Sequence, residues 1–433
     1  MVERHMAKKV QTVYFVALAA LMYYFLQPVI DLGIYVTYRH AFALLIAVSG
    51  FVCFLFKPNL ARFSVSIKSA LVYSLPLLVM LTSSLWIWLN NRSDFAVIAR
   101  GLSGHFITTN IFSCALAAVV FLYIFGEKGI WYNLLSIIIA NLLMILTIIQ
   151  QHGASRYLAE LGTLVKTFAG ETGEIIVQAE IHELAFCLGA YLIYMLLFPR
   201  KKQPMFWILL VASAFCFVSA FKRIAILAIV VALLLGWMLC KIAKKYPKSA
   251  SRLISIFLTC IVVLLIAYIA AIKMDVFTTL EKAGISTNGR AEIYRQVDKF
   301  YEFSPQFIGN GMGFLTYQLS TYMHIGVTAV HNDFLQFYID LGFFGYIAWL
   351  IAMTFVRTQY FGRRGKTENA IVAFVITLYL LIVSATDNTM NYPLVTTVVA
   401  MLMIGHGYDD RVRAEEERLC GYAYDPALEK KGY

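Results

Sequence analysis

His331-Asn332-Asp333, Lys222-Arg223 and Thr287-Asn288-Gly289-Arg290 are the stretches of this chain whose side chains can do chemistry. Arginine presents a planar fork that grips phosphate oxygens in pairs, and lysine a compact point charge. A histidine side chain, ordinarily titrating near about 6.5, is the group best placed to take a proton at neutral pH. Phe221-Lys222-Arg223 lies between two apolar runs with almost no loop, so its charges sit at the edge of whatever buries those runs. Fixed cations with one titratable base at the edge of a bilayer suit a lipid-diphosphate substrate. Each stretch alone has a plainer account. Cations at the end of a membrane helix ordinarily snorkel to the headgroups. Arg290 shares a mixed-charge segment with Glu292, Arg295, Asp298 and Lys299, the pattern of a solvated face. Asn332 or Asp333 can cap the helix whose apolar positions follow, and a lone loop histidine is ordinarily without function.

The elements that must position these groups are membrane helices. Hydrophobic residues make up 60% of the 433 and charged residues 14%, with mean hydropathy +0.72. The apolar runs reach the roughly 20 residues that cross about 30 Å of hydrocarbon. The expected fold is all-α, a polytopic membrane protein of about twelve spans. They lie near residues 10–30, 41–56, 69–89, 106–125, 130–150, 183–198, 205–220, 224–240, 253–272, 338–356, 370–386 and 393–406. Residues 1–272 carry the first nine spans with an outer loop at 151–182. Residues 273–333 form a long extracytoplasmic loop with short helices, 334–408 the last three spans, and 409–433 a tail.

Lysine and arginine set the orientation, because basic short loops stay on the cytoplasmic side. Placing the N-terminus inside puts 24 of the 36 Lys and Arg on inner segments, and five of the other twelve fall in the single long loop, where the rule is weak. Both termini are expected in the cytoplasm. The net charge of +11 is then a topology signal with some attraction to anionic membrane lipid, and nucleic acid is not an expected partner. Val10 to Ile30 reads as a retained span, since no small-residue cleavage site follows it. Cys53, Cys114, Cys187, Cys216, Cys240 and Cys260 fall in apolar runs and Cys420 in the tail, which implies no disulfide framework. His182-Glu183 lacks the second histidine of a helix-borne zinc pair, and no metal or cofactor is expected.

Two outer loops are long enough to build something. In the first, Leu158, Leu161, Leu164, Val165 and Phe168 space an amphipathic helix lying on the membrane. In the second, Gly289 precedes a helical pattern that puts Ile293, Val297, Phe300 and Tyr301 on one face, and Ser304-Pro305 ends it. Gly309, Gly311 and Gly313 follow as a flexible turn. No strand precedes them, so a tight backbone turn accounts for them better than a nucleotide-cradling loop does.

Taken together, Phe221-Lys222-Arg223-Ile224-Ala225, Thr287-Asn288-Gly289-Arg290 with Tyr294, Pro305 to Gly313, and His331-Asn332 followed by Gly342 and Gly345 resemble the O-antigen ligase/polymerase family. The resemblance covers about 130 residues, Ser219 to Leu350, and is specific in the last third of the chain. It departs at Phe221-Lys222-Arg223, where a Ser or Thr beside the arginine is expected, and at Tyr294, where a Trp is expected. The family implies a metal-independent glycosyltransferase of membrane-embedded, class C type. It would move a glycan from an undecaprenyl-diphosphate carrier to an acceptor hydroxyl on the outer face of a bacterial inner membrane. Membrane lipids and a glycan or lipid acceptor are implied partners, with a chain-length regulator or flippase beside them.

The residues fit that chemistry on their own. Charge builds on the leaving diphosphate, no Asp-x-Asp pair for a divalent ion occurs in the outer loops, and Arg223 and Arg290 can grip the phosphate oxygens. His331 would take the acceptor proton, oriented by Asp333 or Glu180. Lys222, Asn332, Tyr294, Arg295 and Asp333 are the expected substrate-binding residues, with Lys222 an alternative to Arg223 on the diphosphate. Repeat-unit polymerisation is favoured slightly over ligation to a lipid or protein, because no large appended domain for a protein acceptor is seen. A lipid-linked oligosaccharide flippase or polysaccharide exporter is the rival. It would ordinarily show two related halves and ionisable groups inside the spans, neither of which the sequence displays.

Overall fold

A computed structural model describes residues 2–24, 30–31, 35–36, 38–91, 93–103, 112–166, 182–199, 203–220, 222–284, 287, 289–321, 330–363 and 367–423. The chain is helical almost throughout, as apolar segments must be where only an intrahelical partner satisfies each backbone group. Two paired strands, Ile30–Asp31 and Tyr35–Val36, are two residues each.

Among the described residues the expected apolar runs are largely helical, but the first helix ends at Tyr23, Ile30 lies in a strand, residues 25–29 and 106–111 of the expected spans lie outside the described residues, and helix length does not give twelve independent spans. Among the described residues five helices are long and apolar enough to cross a membrane: Lys128–His152, Arg223–Lys245, Pro247–Lys273, Asp333–Gly362 and Thr367–Ser384. A sixth is the pair Leu60–Tyr73 and Leu75–Asn91, bent by 49°. Ala41–Phe56, Glu183–Leu197, Pro204–Ala220 and Pro393–Gly405 are apolar helices of 10–17 residues. A multi-pass membrane protein follows from these helices.

Packing separates central from peripheral helices. Thr367–Ser384 has 78% of its apolar window buried, against 28% for Arg223–Lys245 and 17% for Pro247–Lys273, so the first is surrounded by protein and the other two face lipid. The bend between Leu60–Tyr73 and Leu75–Asn91 has a cause. Pro76 has no amide hydrogen to continue the ladder, and the buried Arg357 reaches across to donate to the Tyr73 carbonyl from Nε at 2.8 Å and from Nη2.

The long loop is folded onto the bundle. Its helix Arg290–Val297 buries Ile293 and Val297 of the expected face together with Ala291 and Tyr294, while beyond it Tyr301 is buried and Phe300 only half-buried, and Lys273 Nζ fastens the following turn by donating to the Asp298 and Tyr301 carbonyls at 3.0 and 2.9 Å. The glycines after Pro305 form a backbone-on-backbone contact and not a loose turn. The Asp333–Ile351 helix breaks at Gly342, where φ is 71°, and the turn enters that break. Asn310 N and Gly311 N donate to the carbonyls of Ile339 and Asp340 at 3.1 and 2.8 Å, and Phe343 N returns a bond to Phe307 O at 2.9 Å. A Cβ on Gly309 or Gly342 would collide with the other segment's backbone, which is why both are glycine. The buried Asp340 carboxylate then accepts from Leu315 N at 3.2 Å and fixes the helix Phe314–Thr321. The segment after His152 forms the helix Ala154–Lys166, which includes Leu158, Leu161, Leu164 and Val165 of the expected spacing. Phe168 and Glu180 lie outside the described residues, as do Phe221 and Asn288.

Candidate active site

Four chain segments meet at one end of the bundle. Lys222 and Arg223 start the helix Arg223–Lys245, Arg290 starts the loop helix, His331 precedes the helix Asp333–Ile351, and residues 385–392 connect the last two apolar helices. Between them is a cavity of about 380 Å³ lined by Lys222, Arg223, Ile224, Leu227, Arg290, Thr386 and Asp387. Three cations and one carboxylate face it, so its charge favours an anion.

Each cation is held differently. The Lys222 ammonium lies 3.3 Å from Asp387 Oδ2 and 5.9 Å from the centre of the Phe186 ring. The Arg223 side chain is exposed and makes no ion pair or hydrogen bond among the described residues, which leaves its fork open to the cavity. Arg290 donates from Nη2 to the Thr386 carbonyl at 2.7 Å and from Nη1 to Thr287 O at 3.4 Å. Its Nε is buried without a partner, as is the Thr386 hydroxyl. An unmet buried donor costs about 1–3 kcal/mol, and an anionic oxygen in the cavity would relieve it.

Asp387, which the motifs did not point to, organises the rest. Its Oδ1 accepts from the Tyr392 hydroxyl at 2.9 Å and from Asn388 N at 2.8 Å, and His331 Nδ1 stands 3.9 Å from it, ion-pair range but longer than a direct hydrogen bond. Burial alone would raise this carboxyl. The neighbouring His331, Lys222, Asn388 amide and Tyr392 hydroxyl outweigh burial and hold it well below the usual carboxylate range. The Tyr392 phenol is pushed upward by its own burial and by the Asp387 charge, so it stays a donor.

His331 takes a left-handed backbone, φ 53°, which costs a non-glycine residue on the order of 1 kcal/mol. The turn lets two adjacent side chains part. His331 remains about half exposed beside Asp387, while Asn332 is fully buried. Asn332 Oδ1 accepts from Leu335 N at 3.1 Å and caps the helix, and its Nδ2 donates to the hydroxyls of Tyr268 and Tyr294, each at 3.1 Å. Of the two capping candidates, Asn332 is therefore the one used.

Several expected substrate contacts are placed elsewhere. Asp333 is fully buried and accepts from Met390 N at 2.9 Å and Asn391 Nδ2 at 3.2 Å, so its carboxylate ties down the 385–392 connector and does not orient His331. Tyr294 is buried against Phe277, ring centroids 4.9 Å apart, and bonded to Asn332. It braces the Arg290 helix from behind and is absent from the cavity wall. Burial pushes its phenol upward. Arg295 lies on the exposed face of that helix, paired with Glu292 at 2.6 Å, where a charged side chain needs no ligand. Lys222, Arg223 and Arg290 do converge, and His331 joins them through Asp387. The signal that could have found Asp387 is a lone carboxylate in an eight-residue polar connector on the same side as the three cations. Among the described residues no three His, Cys, Asp or Glu side chains gather as a metal ion would need.

Residues 208–350 match the family model described as O-antigen ligase. The match contains Lys222, Arg223, Arg290 and His331 and ends before Asp387. No curated protein matches the chain.

Proposed function

On the match of residues 208–350 to the O-antigen ligase family model, we propose that the chain is a glycan-transferring membrane protein of the O-antigen ligase/polymerase family. From that premise we propose that the cavity takes the diphosphate of an undecaprenyl-linked glycan and passes the glycan to an acceptor hydroxyl without a metal ion, as repeat-unit polymerisation. The observation that carries this reading is the convergence of Lys222, Arg223 and Arg290 on one cavity, with Asp387 connecting it to His331.

The step balances with these groups. His331 takes the proton of the acceptor hydroxyl, the acceptor oxygen forms a bond to the anomeric carbon, and the bond from that carbon to the diphosphate breaks. The electron pair leaves on the diphosphate. Arg223 grips phosphate oxygens with its open fork, and Arg290 supplies its unpaired Nε from a position fixed by the Thr386 carbonyl. Diphosphate leaves readily, so no acid is required on that side. Asp387 is ionised throughout, orients His331 and stabilises the imidazolium formed. Lys222, shared between Asp387 and the cavity, adds positive charge beside the leaving group. One displacement at the anomeric carbon inverts its configuration. The catalytic end faces outward, and the basic opposite end with both termini faces the cytoplasm of a bacterial inner membrane.

The test is purified protein in detergent with a single-repeat undecaprenyl-diphosphate glycan, excess EDTA and no other acceptor. A ladder of longer carrier-linked chains with inverted linkages is the expected product. Product that forms only when a separate lipid or protein acceptor is added overturns polymerisation in favour of ligation. Carrier-linked glycan that crosses a bilayer unchanged overturns both in favour of transport.

A further inference from the structure

A second cavity, of about 430 Å³, lies at the end of the bundle away from the catalytic one. The helix Thr367–Ser384 separates the two ends. Asn369 in its first turn packs against Gly407 beside this second cavity, and Thr386 and Asp387 follow its last residue. The walls come from Leu60–Tyr73, from Arg357–Arg363 and from the terminal helix Tyr408–Ala423, and they bring Lys68, Tyr360, Arg411, Glu415 and Arg418 together.

Glu415 is a scaffold within it. One carboxylate accepts from Lys68 Nζ at 2.8 Å, from Arg418 Nη2 and Nε at 2.7 and 3.0 Å, and from the Ser64 hydroxyl at 2.6 Å. Two cations are thereby set at the cavity with one negative charge between them. Arg411 adds a third and is 5% exposed. Its Nη1 donates to His406 O at 3.1 Å and its Nη2 to Ile404 O, which leaves Nε buried with no partner. Among the described residues that line the cavity three cations stand against one carboxylate, with Glu127 and Asp410 acting on Arg411 from beyond the wall, and a buried donor there lacks an acceptor.

The helix that supplies Lys68 is also lipid-facing. Leu60, Phe63, Ile67 and Leu71 are exposed on it at helical spacing, and Leu71 lies one turn from Lys68. We propose that this cavity binds the phosphate of an anionic phospholipid headgroup, with Arg411 Nε, Lys68 and Arg418 as its donors. The acyl chains lie along the Leu60–Leu71 stripe. The shared chemistry is a phosphate oxyanion, which free inorganic phosphate could also provide, and the stripe is what favours a lipid.

The full-length protein in neutral detergent is titrated with phosphatidylglycerol, phosphatidylcholine and inorganic phosphate, with bound ligand counted by native mass spectrometry. Arg411 also holds two helix-end carbonyls, so its removal confounds binding with folding. K68Q/R418Q instead removes two cations and leaves that contact intact. At roughly fivefold per cation near a membrane, phosphatidylglycerol binding should weaken about 25-fold in this variant. K244Q/K248Q removes two exposed cations from the same end of the bundle and should bind as the wild type does. Equal retention of phosphatidylglycerol and phosphatidylcholine by the wild type overturns the site. An equal loss in both double variants reduces it to general surface attraction and overturns it too. Inorganic phosphate that binds the wild type with no preference for the anionic lipid overturns the headgroup as source.

Discussion

Asp387→Asn tests the proposed acid–base pair most directly, because it removes one charge and little volume. Asp387 Oδ1 accepts from Tyr392 and the Asn388 amide, and an asparagine oxygen in that place keeps both bonds. The amide nitrogen then replaces Oδ2, 3.3 Å from the Lys222 ammonium, so a donor meets a donor and Lys222 turns into the cavity. At 3.9 Å the carboxylate and an imidazolium attract by about 4 kcal/mol for an effective dielectric near 20. His331 is 46% exposed, and solvent screening brings this to about 1.5–2 kcal/mol. The expected result is a kcat lower by about 10- to 30-fold, with KM for the lipid-linked donor unchanged or lower because Lys222 is freed. Single-turnover and steady-state transfer assays on protein that melts normally separate the two parameters. Retention of wild-type kcat, or a loss confined to KM, would refute the pairing of His331 with Asp387. Stability gives a second reading. A carboxyl held below its usual range contributes fully above its unfolded value of about 3.9 and loses that contribution as pH falls through the folded value. Titration of Asp387 itself therefore narrows the Tm gap between wild type and variant only in acid below about pH 4. A gap that closes between pH 7 and 5 would show Asp387 titrating there.

Arg290→Lys keeps the charge but loses the fork and the Nε donor, so kcat/KM should fall by about 10²-fold, while Arg223→Ala should mainly raise the donor KM. Activity abolished by EDTA and restored by magnesium would reject the metal-free reading. Gly342→Ala places a Cβ on the Ile308 carbonyl at a positive φ and should lower stability by about 2–4 kcal/mol. Gly162→Ala, with no atom near its Cβ, should leave Tm equal or slightly higher, and equal Tm values for the two variants would remove the docking argument. In a cysteine-free background, Glu302→Cys should react with an impermeant thiol reagent applied from outside, and Lys248→Cys should not. The reverse labelling would put the proposed catalytic cavity on the cytoplasmic side.

How far the sequence could be read depended on whether each feature was local. Apolar length is local, so the helices were legible. What length cannot tell is that a helix as short as Pro393–Gly405, buried on every side, differs from one that faces lipid, and the twelve-span expectation treated them alike. The loop helix after Gly289 was legible because its buried face repeats within eight residues. Gly309 and Gly342 were not. They answer to each other across 33 positions, and nothing near either shows that two backbones meet there. The cations and His331 were legible because they sit in short motifs, yet the residue types that suit a substrate also suit a scaffold. Asn332, Asp333 and Tyr294 carry polar groups that the fold uses to fix the 385–392 connector and the Arg290 helix. Burial decides between the two uses, and burial is a property of the assembled bundle. Asp387 escaped for the converse reason. It has no motif around it, and its meaning comes only from Lys222 and His331, which lie 165 and 56 positions away and reach it because four separate helix ends close on one cavity.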